Sequence, residues 1–569
     1  MKKHIFIIIS SFLWIFLSCS DDILNIDPKD RISENAVWKD KNLIEAYLNS
    51  LYNCIPHGFK IHMQSKVTDE AFCSISWDVG LIPKGAIDPD NIWCVSDEWW
   101  NGGGNVYYWN RGWRYIRKIN IFLDKINNLE IELDNKQRLI AEARFLRAYI
   151  YFELIKRFGG LPILTDVYGL EDALNENVDL TRKTFDECVQ FIENELNEAM
   201  KDLPDKYPAN DKNFGRATAD ACRALKSRLL LYAASPLWNP NHNNDKWRKA
   251  ANAAIEIIKK GNYSLYPNYA KLFNQPSGTP NDELIFARTF SSSNWHSAPM
   301  HNLGRRYGAY GGWWASNGPS QNLVDDYDMI NGEPPFIWQN GEKLINPASG
   351  YDTNHPYLNR DPRFYATIIY DSSVFHGDLH EMWISSDGIT WGYDSYKQSS
   401  DNPRTSYILR KFMPEDQPLS WQEKYTQPWP IFRLAEIYLN LAEAMFELGN
   451  EDSCRLFISK VRQRVGMPEI PSTVSGENLR ARLYNERRIE LAFEEHRFWD
   501  VRRWKIAMEV ENRPIYGMEI IKDVNTGIKK YRPILLLERK FHEKMYLLPI
   551  ERSEILKTKG KLTQTTGWN

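Results

Sequence analysis

The sequence predicts a mainly α protein in which a degenerate helical-repeat scaffold carries a long, irregular, loop-rich section. Apolar residues recur at spacings of three and four, most clearly Ala141, Phe145, Ala148, Tyr149, Phe152 and Ile155 within 135–158, one face of a 3.6-residue period. Such stretches come in pairs joined by short turns. Small residues stand where helices cross closely, as in Ala442-Glu443-Ala444 followed by Gly449, like one half of a tetratricopeptide repeat without its regular period. By contrast, residues 261–428 hold 13 Gly, 14 Pro and seven Trp with few helical periods. That is the composition of long loops, and loops on a rigid scaffold are where binding usually lives.

Taken in order, Met1-Lys2-Lys3-His4 is a short basic start, and Ile5 to Leu17 is an apolar run interrupted only by Ser10 and Ser11. It is shorter than the roughly 20 residues of a spanning helix and reads as a secretory leader. Phe16-Leu17-Ser18-Cys19 resembles a bacterial lipobox, which would make Cys19 the lipidated first residue of the mature chain, with residues 1–18 removed. Phe16 departs from the leucine usual there. Ser20-Asp21-Asp22 is similar to the acidic signal that sends Bacteroidetes lipoproteins to the cell surface.

A helix is expected over 37–53 from Val37, Leu43, Ala46, Tyr47 and Leu51, then a loop over 65–108 ending near Gly102-Gly103-Gly104. Helices follow at 110–128 and 135–158, the latter stopped by Gly159-Gly160 and Pro162. Further helices are expected at 184–202, 217–234 (stopped by Pro236) and 247–260, and after the loop-rich section at 431–448, 451–465 and 477–507. The scaffold thus covers about 37–260 and 429–507 of a single unit, 19–569. No later stretch is apolar enough to span a bilayer, so the remainder is expected to be soluble and tethered only through its lipid.

Composition narrows the function. The 569 residues carry 71 Lys+Arg against 74 Asp+Glu, a formal charge of -3, and no long basic run, so no nucleic-acid partner is expected. Aromatic residues make up 13% of the chain, with 21 Trp, an area that must be either buried or used. Cys54, Cys73, Cys94, Cys188, Cys222 and Cys454 form no CxxC pair and read as small buried hydrophobes.

Several segments together resemble the SusD/RagB family of surface nutrient-binding lipoproteins. They are Glu142-Ala143-Arg144-Phe145-Leu146-Arg147-Ala148-Tyr149 with Arg157-Phe158-Gly159-Gly160-Leu161-Pro162, and Ser227-Arg228-Leu229 through Ser235-Pro236-Leu237. The middle adds Gly318-Pro319-Ser320-Gln321-Asn322-Leu323-Val324-Asp325 and Asn359-Arg360-Asp361-Pro362-Arg363-Phe364. Arg433-Leu434-Ala435-Glu436-Ile437-Tyr438-Leu439-Asn440 follows, then Glu486-Arg487-Arg488-Ile489-Glu490-Leu491-Ala492-Phe493-Glu494 leading to His496-Arg497-Phe498-Trp499-Asp500. Leu547-Leu548-Pro549-Ile550 and Gly567-Trp568 close the series. Glu495 stands where the family usually has glycine.

The charged members of these segments read as scaffold, Arg144 and Arg147, and Arg487 and Arg488 among Glu486, Glu490 and Glu494, satisfying one another across helices. The resemblance implies a tetratricopeptide-like half packed against an irregular half. It also implies a partner, a SusC-like TonB-dependent outer-membrane barrel on which the lipoprotein sits as a lid, at the outer membrane and facing outward.

Sugar recognition needs flat apolar faces flanked by amide, carboxylate or guanidinium groups. Trp77, Trp93, Trp99 and Trp100 stand in the first loop with Asp97, Glu98 and Asn101, whereas Trp109, Trp113, Tyr108 and Ile116 have helical spacing and read as core. Trp295, Tyr307, Tyr310, Trp313 and Trp314 form a second cluster amid Gly308, Gly311 and Gly312. The resemblance places ligand contacts in these two regions; the bland alternative is that their aromatics plug the irregular half.

Enzyme signatures are missing. No GxSxG, GxxxxGK[ST] or HExxH occurs, and Asp325-Asp326 and Asp97-Glu98 are adjacent rather than facing carboxylates. His376-Gly377-Asp378-Leu379-His380-Glu381 reads as a solvated loop rather than a zinc helix. Asp88-Pro89-Asp90-Asn91 offers oxygens to calcium without the spacing of a known loop, so no cofactor or metal is expected. The expected function is non-catalytic capture of oligo- or polysaccharide for an outer-membrane transporter. Peptide capture, as in the RagB branch, a surface glycoside hydrolase, and a protein-interaction scaffold are the alternatives.

Overall fold

Long helices arise where apolar spacing meets a capping residue. The computed structural model describes residues 34–73, 80–92, 95, 105–169, 171–172, 178–208, 211–308, 314–339 and 342–568. Helix α1 (Lys41–Leu51) starts at Asp40, whose carboxylate accepts from the Asn42 and Leu43 amides. Its core face is Ile44, Leu48 and Leu51. The expected face was rotated: Ala46 is exposed, and Val37 belongs to a separate turn, Glu34–Val37.

Helices α2 (Trp109–Asn127) and α3 (Lys136–Phe158) match the expected spans to within a residue or two. Gly159, at φ 78°, ends α3 because the left-handed region costs glycine nothing. Nearly all of α3 from Leu139 onward is buried, since α1, α2, α4 (Phe185–Ala199) and α5 (Ala219–Ala234) surround it. Arg144 and Arg147 reach across to Glu195 of α4, as expected.

The array continues through α6 (Asn244–Lys260), α7 (Leu434–Glu447), α8 (Glu451–Gln463) and α9 (Gly476–Glu490), each against the next. Helix α6 meets α7 directly, so the irregular section leaves and re-enters the array at adjacent helices. Strand β1 (Leu284–Arg288) lies antiparallel to β3 (Trp429–Arg433) and closes that excursion at its base, Arg433 opposite Leu284. Past the array, β4 (Ile515–Lys522) pairs antiparallel with β5 (Lys529–Leu537) and parallel with β2 (Ile384–Ser385).

The single helix expected over 477–507 is two, α9 and α10 (Arg497–Arg503). Phe493 and Glu495 between them sit at φ 61° and 62°, a left-handed conformation that interrupts any helix of L-residues. Glu495 thus occupies a position where glycine would be unstrained. Burial raises its carboxyl to about 7, and it accepts from the Gln64 amide and Asn105 Nδ2 at 3.4 Å.

A second correction concerns the charge run around Glu486. Its members do not satisfy one another; partners come from elsewhere and the group is buried. Arg433 reaches Glu283, Glu490 and Glu494 at 2.6–2.7 Å. Arg363 reaches Glu486 and Glu490, Arg462 reaches Glu486 and Asp328, and Lys411 reaches Glu494 at 2.8 Å. Arg487 turns instead to Asp500, and Arg488 and Arg497 share Asp69. Burial alone would raise the Glu490 carboxyl, but Arg464, Arg433 and Arg363 hold it far below the usual carboxylate range. This box stitches the irregular section, through Glu283, Arg363 and Lys411, onto α8 and α9.

His376 and Gly377 are exposed, as a solvated loop requires. At φ 51° and 80°, they turn a hairpin between Val374–Phe375 and Asp378–Leu379. His380 beyond it is buried beside Asp394 and the Tyr307 hydroxyl. Cys54, Cys188, Cys222 and Cys454 are buried free thiols, as expected, while Cys73 is half-buried; Cys19 and Cys94 lie outside the described residues.

Candidate functional site

Three segments distant in sequence meet on one wall of the irregular half: 57–73, 296–303 and 314–321. The Ser316 hydroxyl donates to the Ile61 carbonyl at 2.7 Å, and the Asn317 side chain accepts from the Met63 amide at 3.1 Å while donating to Asn302 Oδ1 at 2.6 Å. Ala71 and Phe72 pair with Pro319 and Gly318. Ala315 and Ser316 donate their amides to the carbonyls of Leu303 and His301. Met63, Asn302, Ala315, Ser316 and Asn317 are buried, so the hydrogen bonds of this frame are shielded from water where Trp314 leaves it.

Trp314 is half-buried and lies nearly parallel to the His301 imidazole, centroids 6.1 Å apart at 25°. His301 Nε2 pairs with the Ser297 hydroxyl at 2.9 Å. Behind it, Lys66 is buried with Nζ 2.6 Å from His62 Nδ1 and 3.2 Å from Cys73 Sγ. Burial first, and then the Lys66 ammonium, lowers His301 to about 4 and His62 to about 2. Both imidazoles are therefore held neutral at physiological pH, and His301 is the one that lies beside the Trp314 ring.

Trp295 is 39% exposed at a turn in which Ser291 and Asn294 exchange backbone hydrogen bonds. The next residue anchors it: buried His296 stacks on Phe59 at 4.1 Å and its amide donates to the Tyr425 carbonyl at 3.0 Å. Trp295 and Trp314 thus stand on segments fastened to the same stretch, 57–63. Trp77, Trp93, Trp99, Trp100, Asn101, Tyr310 and Trp313 lie outside the described residues, as do Asp97 and Glu98.

Of the other sequence candidates, Asp325 pairs with Lys343 and Asp326 with Arg488, so this adjacent pair does not face across a cleft. Asp90 pairs with Arg552 and Asp88 closes a local turn onto the Asp90 amide. Among the described residues no group of three His, Cys, Asp or Glu is placed to hold a metal ion, and no helix is long and apolar enough to cross a membrane. Tyr108, Trp109 and Ile116 are core, as expected; Trp113 is only half-buried. Sequence reasoning missed His62, Lys66 and His301. The four-residue step from His62 to Lys66 was the one local signal.

A profile described as "SusD family" matches residues 282–568, and one described as "Starch-binding associating with outer membrane" matches residues 26–231. "SusD-like protein P25" of Formosa agariphila is 26% identical over 447 residues, 76% of each chain. A crystal structure of a SusD-like protein from Bacteroides fragilis superposes with TM-score 0.75 at 28% identity, covering 95% of this chain and all of that one. A second from the same organism, titled a SusD-like carbohydrate binding protein, gives TM-score 0.73 at 26% identity over 92% of this chain and 99% of its own.

Proposed function

This chain belongs to the SusD family, and from that premise we propose that it captures oligo- or polysaccharide at the cell surface for a SusC-like TonB-dependent transporter. The observation that carries the reading is Trp314, an aromatic face half open to solvent and fixed to a rigid polar frame. The ordered frame at 315–319 fixes the backbone that presents this face, which lowers the entropy cost of stacking on it. His301, beside the indole and bonded to the Ser297 hydroxyl, is the polar group next to that face. The relative whose title names carbohydrate binding supports the ligand class, and the outer-membrane description of the amino-terminal profile supports the location.

Attachment through Cys19 would hold the captured glycan near the transporter mouth. High effective concentration then replaces tight intrinsic affinity. Capture needs no catalytic pair, which suits carboxylates engaged as Asp325 and Asp326 are.

The test is calorimetric titration of the chain from Ser20 onward against plant, fungal and host polysaccharides and peptide mixtures, with released reducing sugar assayed alongside. Saturable binding of a polysaccharide without product is expected. Product release would make the protein a hydrolase, and binding of peptides alone would overturn the ligand class.

A further inference from the structure

Beyond β2 the chain turns and runs back along itself. The Ser385 amide donates to the Thr390 carbonyl at 2.8 Å, and Gly392 and Asp394 donate to Trp383 and Glu381 at 2.9 Å. Trp391 bridges Ile384 in the same ladder. Successive side chains of such a returning strand point to opposite faces. Gly392 and Asp394 are buried, whereas Trp391 and Tyr393 are 38% and 44% exposed. A Cβ at Gly392 would run into the Glu381 carbonyl, so glycine lets the strand lie close with both rings turned to solvent.

Polar contacts hold the two rings in place. Trp391 donates its indole N–H to Gln398 Oε1 at 2.7 Å. The Arg306 guanidinium lies 4.7 Å from the Tyr393 ring centroid, and buried Asp394 accepts from its Nε and Nη2 at 3.0 and 2.7 Å. The Asn402 side chain donates to the Tyr393 carbonyl and accepts from the Arg305 amide, each at 3.1 Å. Just before Arg305, the Leu303 carbonyl takes the Ala315 amide and His301 lies beside Trp314. One stretch, 301–306, therefore carries the Trp314 wall at its start and the Trp391–Tyr393 pair at its end.

The chemistry of the pair points to a neutral, hydroxylated ligand. Arg306 is committed to Asp394, so it offers no free charge to an ion. The rings stand on the surface of a strand, where a small apolar molecule would not gain the roughly 70–90% burial of an enclosed site. Exposed Thr390, half-buried Gln398 and the Tyr393 hydroxyl supply neutral hydrogen-bonding groups around them. Flat aromatic faces edged in this way match a sugar ring, with its apolar C–H face and its rim of hydroxyls.

We propose that Trp391 and Tyr393 form a second glycan platform, on which a polysaccharide stacked at Trp314 makes a further contact. The inference rests on the glycan reading above and deepens it. With two faces on one fixed stretch, the second contact forms at high effective concentration and favours a long chain over a short one.

The test is calorimetric titration of amylopectin, laminarin, xylan, pectin and α-mannan into the chain from Ser20 onward, with melting temperatures read alongside. For the polysaccharide that binds, Trp391→Ala/Tyr393→Ala should weaken affinity about tenfold at an unchanged melting temperature. Trp391→Leu/Tyr393→Leu, which keeps apolar side chains but removes the flat faces, should do the same. Trp314→Ala should retain weak binding that is lost when all three rings are replaced. Unchanged affinity in the double variants, while Trp314→Ala still weakens binding, would overturn the second platform and leave the glycan reading standing. A loss confined to variants that melt lower would also overturn it. Binding of none of the five polysaccharides by the wild type would overturn both.

Discussion

The charge box under β3 and the wall around Trp314 both bury charged or polar groups, yet they solve the cost differently. In the box every carboxylate meets a guanidinium or ammonium: Arg433 alone binds three glutamates. Full pairing repays desolvation only while the set is complete, and removing one member leaves uncompensated charge. At the Trp314 wall the imidazoles escape the cost by staying neutral, with His301 lowered to about 4. One region buys rigidity and joins the irregular section to the helices. The other holds neutral imidazoles around a buried lysine, next to the half-buried Trp314 ring.

Breaking the box should have the largest effect. Arg433→Met strips one cation from Glu283, Glu490 and Glu494 and should cost about 3–5 kcal/mol in urea unfolding. A loss below about 1 kcal/mol would show that the box is not a unit.

Acid should separate the two regions. His301 is lowered by burial and by Lys66, so its contribution is full above the unfolded value of about 6.5 and is lost as pH falls toward 4. Glu70 and Glu495, raised by burial to about 8 and about 7, work in the opposite sense over that range. The difference between wild type and His301→Gln isolates the imidazole: wild type should lose roughly 3 kcal/mol relative to the variant between pH 6.5 and 4. Glu490, held low by its arginines despite burial, contributes fully above the unfolded value of about 4.3 and fails only below it. Parallel unfolding profiles for the two proteins across that range would contradict the neutral-imidazole account.

The smallest effect concerns the hinge between α9 and α10. Glu495→Gly removes a left-handed, buried carboxyl and should stabilise the protein by about 1 kcal/mol, measured as a rise in melting temperature. A fall would mean that its hydrogen bonds to Gln64 and Asn105 outweigh the strain.

What the sequence made legible was whatever is locally encoded. Helix α3 could be placed to within a residue because its apolar spacing and Gly159 lie side by side in the chain. The break at 493–495 was hidden because Phe493 and Glu495, not glycines, take the left-handed positions. The partners of Glu490 come from β3, the residue capping α8 and the short helix Pro362–Thr367, so spacing within the charged run misassigned them. At the site, Trp314 stood out as an aromatic beside glycines. His62, Lys66 and His301 did not, because contacts made through the distant segment 315–319 bring 57–73 against 297–303.

The most direct test of capture at this wall is calorimetric titration of a bound polysaccharide into wild type and Trp314→Ala in parallel. The account predicts about a tenfold loss of affinity in the variant, no reducing sugar from either protein, and nearly unchanged melting temperatures. Equal affinity in the two proteins would remove Trp314 from the site and contradict the account.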